Sequence, residues 1–101
     1  MNLSKFQNFT VIIMNDYVKN AVKDLKTLIS IPSVQAEPEK DMPFGKSVFD
    51  ALDFFLKTAE EMGFKTVNYD NYIGEVDFGD SKDEIGILCH LDVVPAGDLN
   101  K

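Results

Sequence analysis

The sequence predicts an α/β domain with two helices followed by about three strands of a mixed sheet. Three observations predict it. Apolar residues recur at three- and four-residue spacing in two separate stretches, the period changes to two after Gly63, and Ile85-Gly86-Ile87-Leu88-Cys89 is a continuous apolar run. Amphipathic helices followed by a strand with no polar alternation fit layers of helix packed on a sheet.

The first helix is predicted over residues 16–30. Val18, Ala21, Val22, Leu25, Leu28 and Ile29 make one apolar face, with Lys19, Lys23, Asp24 and Lys26 between them. Asn15 or Asp16 suits its N-cap, and Pro32 closes it, because the residue before a proline is pushed out of the helical region. Residues 33–46 carry Pro38, Pro43, Gly45 and a charged stretch at 37–41, with Val34, Met42 and Phe44 as scattered apolar anchors, and read as a surface loop.

The second helix starts near Ser47 as its cap, follows Val48, Ala51, Leu52, Phe55, Ala59 and Met62, and ends at Gly63, which suits the left-handed C-terminal position. Phe49, Phe54 and Leu56 widen its apolar face, so more than one side of the helix is expected to be covered, and the aromatic residues Phe49, Phe54 and Phe55, at helical spacing, read as core. Phe64, Thr66, Val67 and Tyr69 then form one strand and Tyr72, Val76 and Phe78 another, joined at Asp70-Asn71. The run at 85–89 is the third strand, expected to be buried on both faces. Gly74 reads as a bulge and Gly86 as a close packing contact, and neither glycine belongs to a dinucleotide fingerprint or a phosphate-binding loop.

Composition bounds the function. With 17 acidic residues against 10 basic ones the net charge is −7, and every basic residue is a lysine, so the chain offers no phosphate-reading or membrane-binding basic patch. Nucleic acid and membrane partners are not expected. A single cysteine, Cys89, closes no intrachain disulfide, which fits a reducing compartment, and the apolar run at 9–14 is too short for an export signal. The expected location is the cytoplasm.

His90 is the only histidine and directly follows the most apolar strand, where open α/β sheets gather ligands at the carboxyl ends of their strands. In an extended segment His90 and Asp92 share one face while Cys89 and Leu91 take the other. A carboxylate beside an imidazole accepts one ring N–H and leaves the other nitrogen to bind a metal or move a proton. The same pair also fits a histidine satisfied at a strand end, with Asp92 capping the turn before Pro95, and spacing alone does not separate the two. One histidine builds no zinc site by itself, since a catalytic zinc takes about three protein ligands. Cys89 reads as a buried small hydrophobe and not as a nucleophile.

The segment Gly86-Ile87-Leu88-Cys89-His90-Leu91-Asp92-Val93-Val94-Pro95-Ala96-Gly97 resembles the first metal-binding motif of the zinc peptidase family that contains acetylornithine deacetylase, succinyl-diaminopimelate desuccinylase, carnosinase and the PepV-like bacterial dipeptidases. Leu28-Ile29-Ser30-Ile31-Pro32-Ser33-Val34 is similar to that family's first-helix exit. Phe44-Gly45-Lys46, Met62-Gly63-Phe64 and Asn71-Tyr72-Ile73-Gly74-Glu75-Val76-Asp77-Phe78-Gly79 resemble the PepV branch in particular, so the likeness covers residues 15–99.

The resemblance implies a hydrolase of dipeptide amide bonds that carries two zinc ions in its complete site. His90 would be a ligand of one zinc and Asp92 the residue that orients its imidazole. The family's bridging carboxylate, glutamate general base and remaining ligands would lie downstream. Residues 15–101 would then be the N-terminal part of the catalytic domain, with 1–14 an extension and Met14 a candidate natural start. On that reading the 101-residue chain alone lacks peptidase activity. An alternative of a different class is a non-catalytic α/β fragment or interaction module that self-associates or binds a complementing downstream chain through its exposed edge.

Overall fold

A computed structural model describes residues 3–101, with side chains described at Gln7 and from Thr10 onward. The elements are α1 (Leu3–Ser30), α2 (Lys46–Glu61), β1 (Lys65–Tyr69) and β2 (Ile73–Asp77), so two helices precede a two-stranded antiparallel sheet. The chain divides into two units at the end of α1, and the second unit is Ile31–Lys101.

Helix α1 ends where Pro32 requires, but it starts earlier than the spacing suggests and runs unbroken through Asn15 and Asp16. Neither residue is an N-cap. Val11, Ile12 and Ile13 are β-branched and so weaken a local helix reading, yet no Gly or Pro interrupts this stretch. The apolar positions Val18, Val22, Leu25 and Ile29 are exposed. No helix among the described residues is long and apolar enough to cross a membrane.

In the second unit α2 lies against both strands of the hairpin, and its buried side chains are Ala51, Leu52, Leu56 and Ala59. The N-cap is Gly45 and not Ser47. With φ at 87° it takes a backbone conformation open to glycine, and a Cβ there would stand 2.8 Å from the Cβ of Ala36. At the other end Gly63 has φ of 89°, donates to the Glu60 carbonyl at 2.9 Å, and Phe64 donates to Ala59 at 3.1 Å. Those two bonds are the Schellman arrangement that the glycine signal anticipates.

The hairpin is in continuous register from Lys65 opposite Asp77 to Tyr69 opposite Ile73. Asp70 and Asn71 both have positive φ, and Tyr72 N–H donates to the Tyr69 carbonyl at 3.0 Å, which matches the twist of antiparallel strands. Gly74 sits inside this register opposite Asn68 and makes no bulge. A Cβ on it would lie 2.8 Å from Leu52 Cδ1 and 2.9 Å from Leu56 Cδ2, so its role is to let β2 approach α2. Gly86, the expected packing contact, has nothing within 4 Å.

Residues 33–46 are less of a surface loop than their composition suggests. Ser33 and Gly45 are buried, Met42 and Phe44 are half-buried, and Ala36 N–H donates to the Phe44 carbonyl at 3.0 Å to close the excursion. The third expected strand is not paired. Residues 85–89 belong to no ladder, and Ile85, Ile87, Leu88 and Cys89 are exposed and not buried on two faces. Burial on both faces needs a layer above and below, and in this unit α2 and the hairpin are spent on each other.

Candidate functional site

The segment that carries His90 is fixed from a distance. Ser33, 3 % exposed, donates its hydroxyl to the Leu91 carbonyl at 2.8 Å, and its own carbonyl accepts the Val93 N–H at 3.0 Å. Two bonds to one residue clamp the main chain on either side of Asp92. Composition alone places Ser33 at the start of a surface loop. The available signal was a small hydroxyl between Pro32 and the apolar Val34, a place where a side chain serves the backbone more readily than solvent.

Within the clamped segment the sequence-predicted pair does meet. His90 Nδ1 lies 3.0 Å from the Asp92 carbonyl oxygen and 3.3 Å from Asp92 Oδ1. Both are acceptors, so together they favour the tautomer with the proton on Nδ1 and leave the Nε2 lone pair outward. The imidazole is largely exposed, with its side chain 82 % accessible. Asp92 therefore acts on His90 through its main chain as well as through its carboxylate, which the spacing argument did not anticipate. Cys89 is exposed and has no part in this arrangement.

Beside the pair is a groove of about 340 Å³. Phe44, Val48, Leu52 and Phe55 give it an apolar wall, Tyr72 and Ile73 of the hairpin turn a second, and residues 87–92 with His90 and Asp92 a third. Phe44 and Tyr72 meet edge to face with ring centroids 5.4 Å apart. Asn71 ties the hairpin turn to the loop opposite by donating from Nδ2 to the Asp41 carbonyl at 2.7 Å. The groove is thus lined by apolar side chains with a few polar groups along one side, the general composition of a small-molecule cleft.

Among the described residues no group of three or more His, Cys, Asp or Glu side chains is gathered around a common point. The donor set fits one imidazole ligand, presented through Nε2 and oriented through Nδ1, and does not fit a complete zinc site.

No family model matches this chain. Among curated proteins it is 40 % identical over 87 residues, 84 % of its length, to a Staphylococcus aureus (strain USA300) protein named "Putative dipeptidase". Its counterpart in Staphylococcus aureus (strain COL) aligns with the same figures. A Staphylococcus epidermidis protein of the same name is 39 % identical over 85 residues, or 82 % of this chain. The chain spans only 19 % of the length of the first two relatives and 18 % of the third.

Proposed function

We propose that this chain is the N-terminal portion of a PepV-like, zinc-dependent dipeptidase of the cytoplasm, with His90 as a ligand of one zinc ion and Asp92 as its positioning residue. The observation that carries the reading is the 40 % identity over 84 % of the chain to proteins that bear a dipeptidase name. The His90 geometry supports the metal role, because a ligand imidazole commonly engages a carboxylate or carbonyl through the ring nitrogen that faces away from the metal.

Zinc, when bound, supplies a Lewis acid that polarises a scissile carbonyl and acidifies a water. The chain's own residues do the rest of what is assigned to it. His90 offers Nε2, Asp92 holds the ring through its carbonyl at 3.0 Å and its carboxylate at 3.3 Å, and Ser33 keeps that stretch of backbone in place. The apolar groove beside the pair would receive substrate side chains. One imidazole ligand gives weak metal affinity and no hydrolytic site, so the 101-residue polypeptide assayed alone with dipeptides and zinc is expected to give no turnover.

Zinc titration of the chain followed by nuclear magnetic resonance of the imidazole nitrogens tests the assignment. The expected result is a shift that moves Nε2 far more than Nδ1 and vanishes in His90→Ala. Zinc bound equally well by His90→Ala, or through Nδ1, would overturn it.

A further inference from the structure

We propose that Ser33 is a positioning residue for the His90 imidazole, acting through the two peptide groups on either side of Asp92. Its use in metal binding rests on the reading of His90 as a zinc ligand, while the positioning itself stands on geometry without a metal.

The connection is a relay of main-chain groups. His90 Nδ1 faces the Asp92 carbonyl oxygen at 3.0 Å, and that carbonyl belongs to the same peptide group as the Val93 N–H, which donates to the Ser33 carbonyl at 3.0 Å. This peptide group is therefore bonded at both ends, to the imidazole on one side and to Ser33 on the other. The preceding peptide group is bonded to Ser33 as well, because the Leu91 carbonyl accepts the Ser33 hydroxyl at 2.8 Å. Each peptide group is a rigid plane, so holding both leaves Asp92 little freedom to turn about its Cα and fixes the direction of its carbonyl. Hydrogen bonds in series also polarise one another, so the bond at Val93 strengthens the one at His90.

Ser33 is held on both sides in turn. Its N–H donates to the Ile31 carbonyl at 2.8 Å and the Val34 N–H to the Pro32 carbonyl at 2.7 Å, two overlapping three-residue turns, and Pro32 adds its own fixed φ. The N–H, carbonyl and hydroxyl of Ser33 are thus all engaged. Among the described residues Ser33 is the one buried polar residue. A hydroxyl is costly to bury unless it is bonded, and this one is bonded to the residue next to the single histidine of the chain.

The Asp92 carboxylate is the less rigid guide. Its Oδ1 stands 3.3 Å from Nδ1, on a side chain that is 52 % accessible and turns about two torsions. The carbonyl moves only with the two peptide planes that Ser33 holds. An imidazole pinned to it through Nδ1 points Nε2 in one direction, as a ligand of fixed geometry must.

Nitrogen shifts of the His90 ring, measured without metal at a pH where the ring is neutral, test this. Ser33→Ala should lower the ratio of Nδ1–H to Nε2–H roughly threefold. In an Asp92→Ala background the carbonyl is the one of the two acceptors that remains, and there Ser33→Ala should remove the residual preference for Nδ1–H. Ser33→Ala should also weaken zinc binding by His90 roughly threefold, less than the loss of a direct partner. A ratio that Ser33→Ala leaves unchanged in both backgrounds overturns the proposal, even where the variant melts at a lower temperature, because Ser33 would then be structural only. A second measurement needs no substitution: the chain should show spin coupling across the hydrogen bond from Val93 N to the Ser33 carbonyl carbon, and its absence breaks the relay. Zinc that never reaches Nε2 counts against the ligand reading alone, and the tautomer ratio still decides the role of Ser33.

Discussion

Ser33 and Leu91, 58 positions apart in the chain, are joined by a 2.8 Å hydrogen bond from the Ser33 hydroxyl to the Leu91 carbonyl. Because the Ser33 carbonyl also holds Val93 N–H, one buried residue sets the path of the backbone through Asp92 and thereby the placement of His90. Ser33→Ala leaves the Leu91 carbonyl without its donor, a loss of about 1–2 kcal/mol, while the bond to Val93 remains available. The expected outcome is faster exchange of the Val93 amide with a small drop in overall stability. Unchanged protection at Val93 would mean that something other than Ser33 holds the segment.

Gly74 in β2 and Gly86 in the unpaired run at 85–89 have opposite sensitivities. At Gly74 a methyl group would meet Leu52 Cδ1 at 2.8 Å and Leu56 Cδ2 at 2.9 Å, both on buried side chains of α2. Overpacking of that kind costs about 1–3 kcal/mol, and Gly74→Val should cost more than Gly74→Ala. Gly86 has open space around it, so Gly86→Ala should be neutral within about 0.5 kcal/mol. Thermal unfolding of the single variants compares them directly, and equal losses at both positions would contradict the packing described.

That contrast shows where sequence reasoning holds and where it stops. Helix α2, its Gly63 terminus and the hairpin after it rest on signals that lie within a few residues of one another, and all three are present. The roles of Gly74 and Gly86 depend on what stands 4 Å above each, which no local pattern encodes. Pairing of residues 85–89 likewise depends on a neighbour, and composition announces only that the run wants one. His90 and Asp92 were legible as a pair because period-two geometry puts them on one face. Ser33 was not, since its partner lies 58 positions away. Helix α1 extends upstream of the span that apolar spacing and an Asn15 or Asp16 cap suggest, through Val11, Ile12 and Ile13, whose β-branched side chains give only a weak local helix signal.

His90 should carry its neutral proton on Nδ1. The Asp92 carbonyl at 3.0 Å and carboxylate at 3.3 Å are both acceptors facing that nitrogen. Nitrogen chemical shifts of the imidazole report the tautomer, and the expected spectrum has Nδ1 protonated and Nε2 bare. Asp92→Ala removes one acceptor and keeps the other, so it should reduce the Nδ1–H population without abolishing it. A ring protonated mainly on Nε2 in the unsubstituted chain would remove the argument that Asp92 orients it.

Tyr69 should titrate above an ordinary tyrosine. Its hydroxyl donates to Glu75 Oε2 at 3.0 Å, and that hydrogen bond, reinforced by the negative charge of the same carboxylate, holds the phenol in its neutral form. A pKa raised on folding favours the protonated native state, so the bond's contribution is fully present below the ordinary value of 10.0 and is lost as pH rises through the raised one. Both partners are exposed, so solvent screens the effect and keeps its weight in stability small. Absorbance of the phenolates against pH should show one of the three tyrosines ionising later than the others, and Glu75→Gln should bring it back toward them. If the late ionisation survives Glu75→Gln, the carboxylate is not its cause.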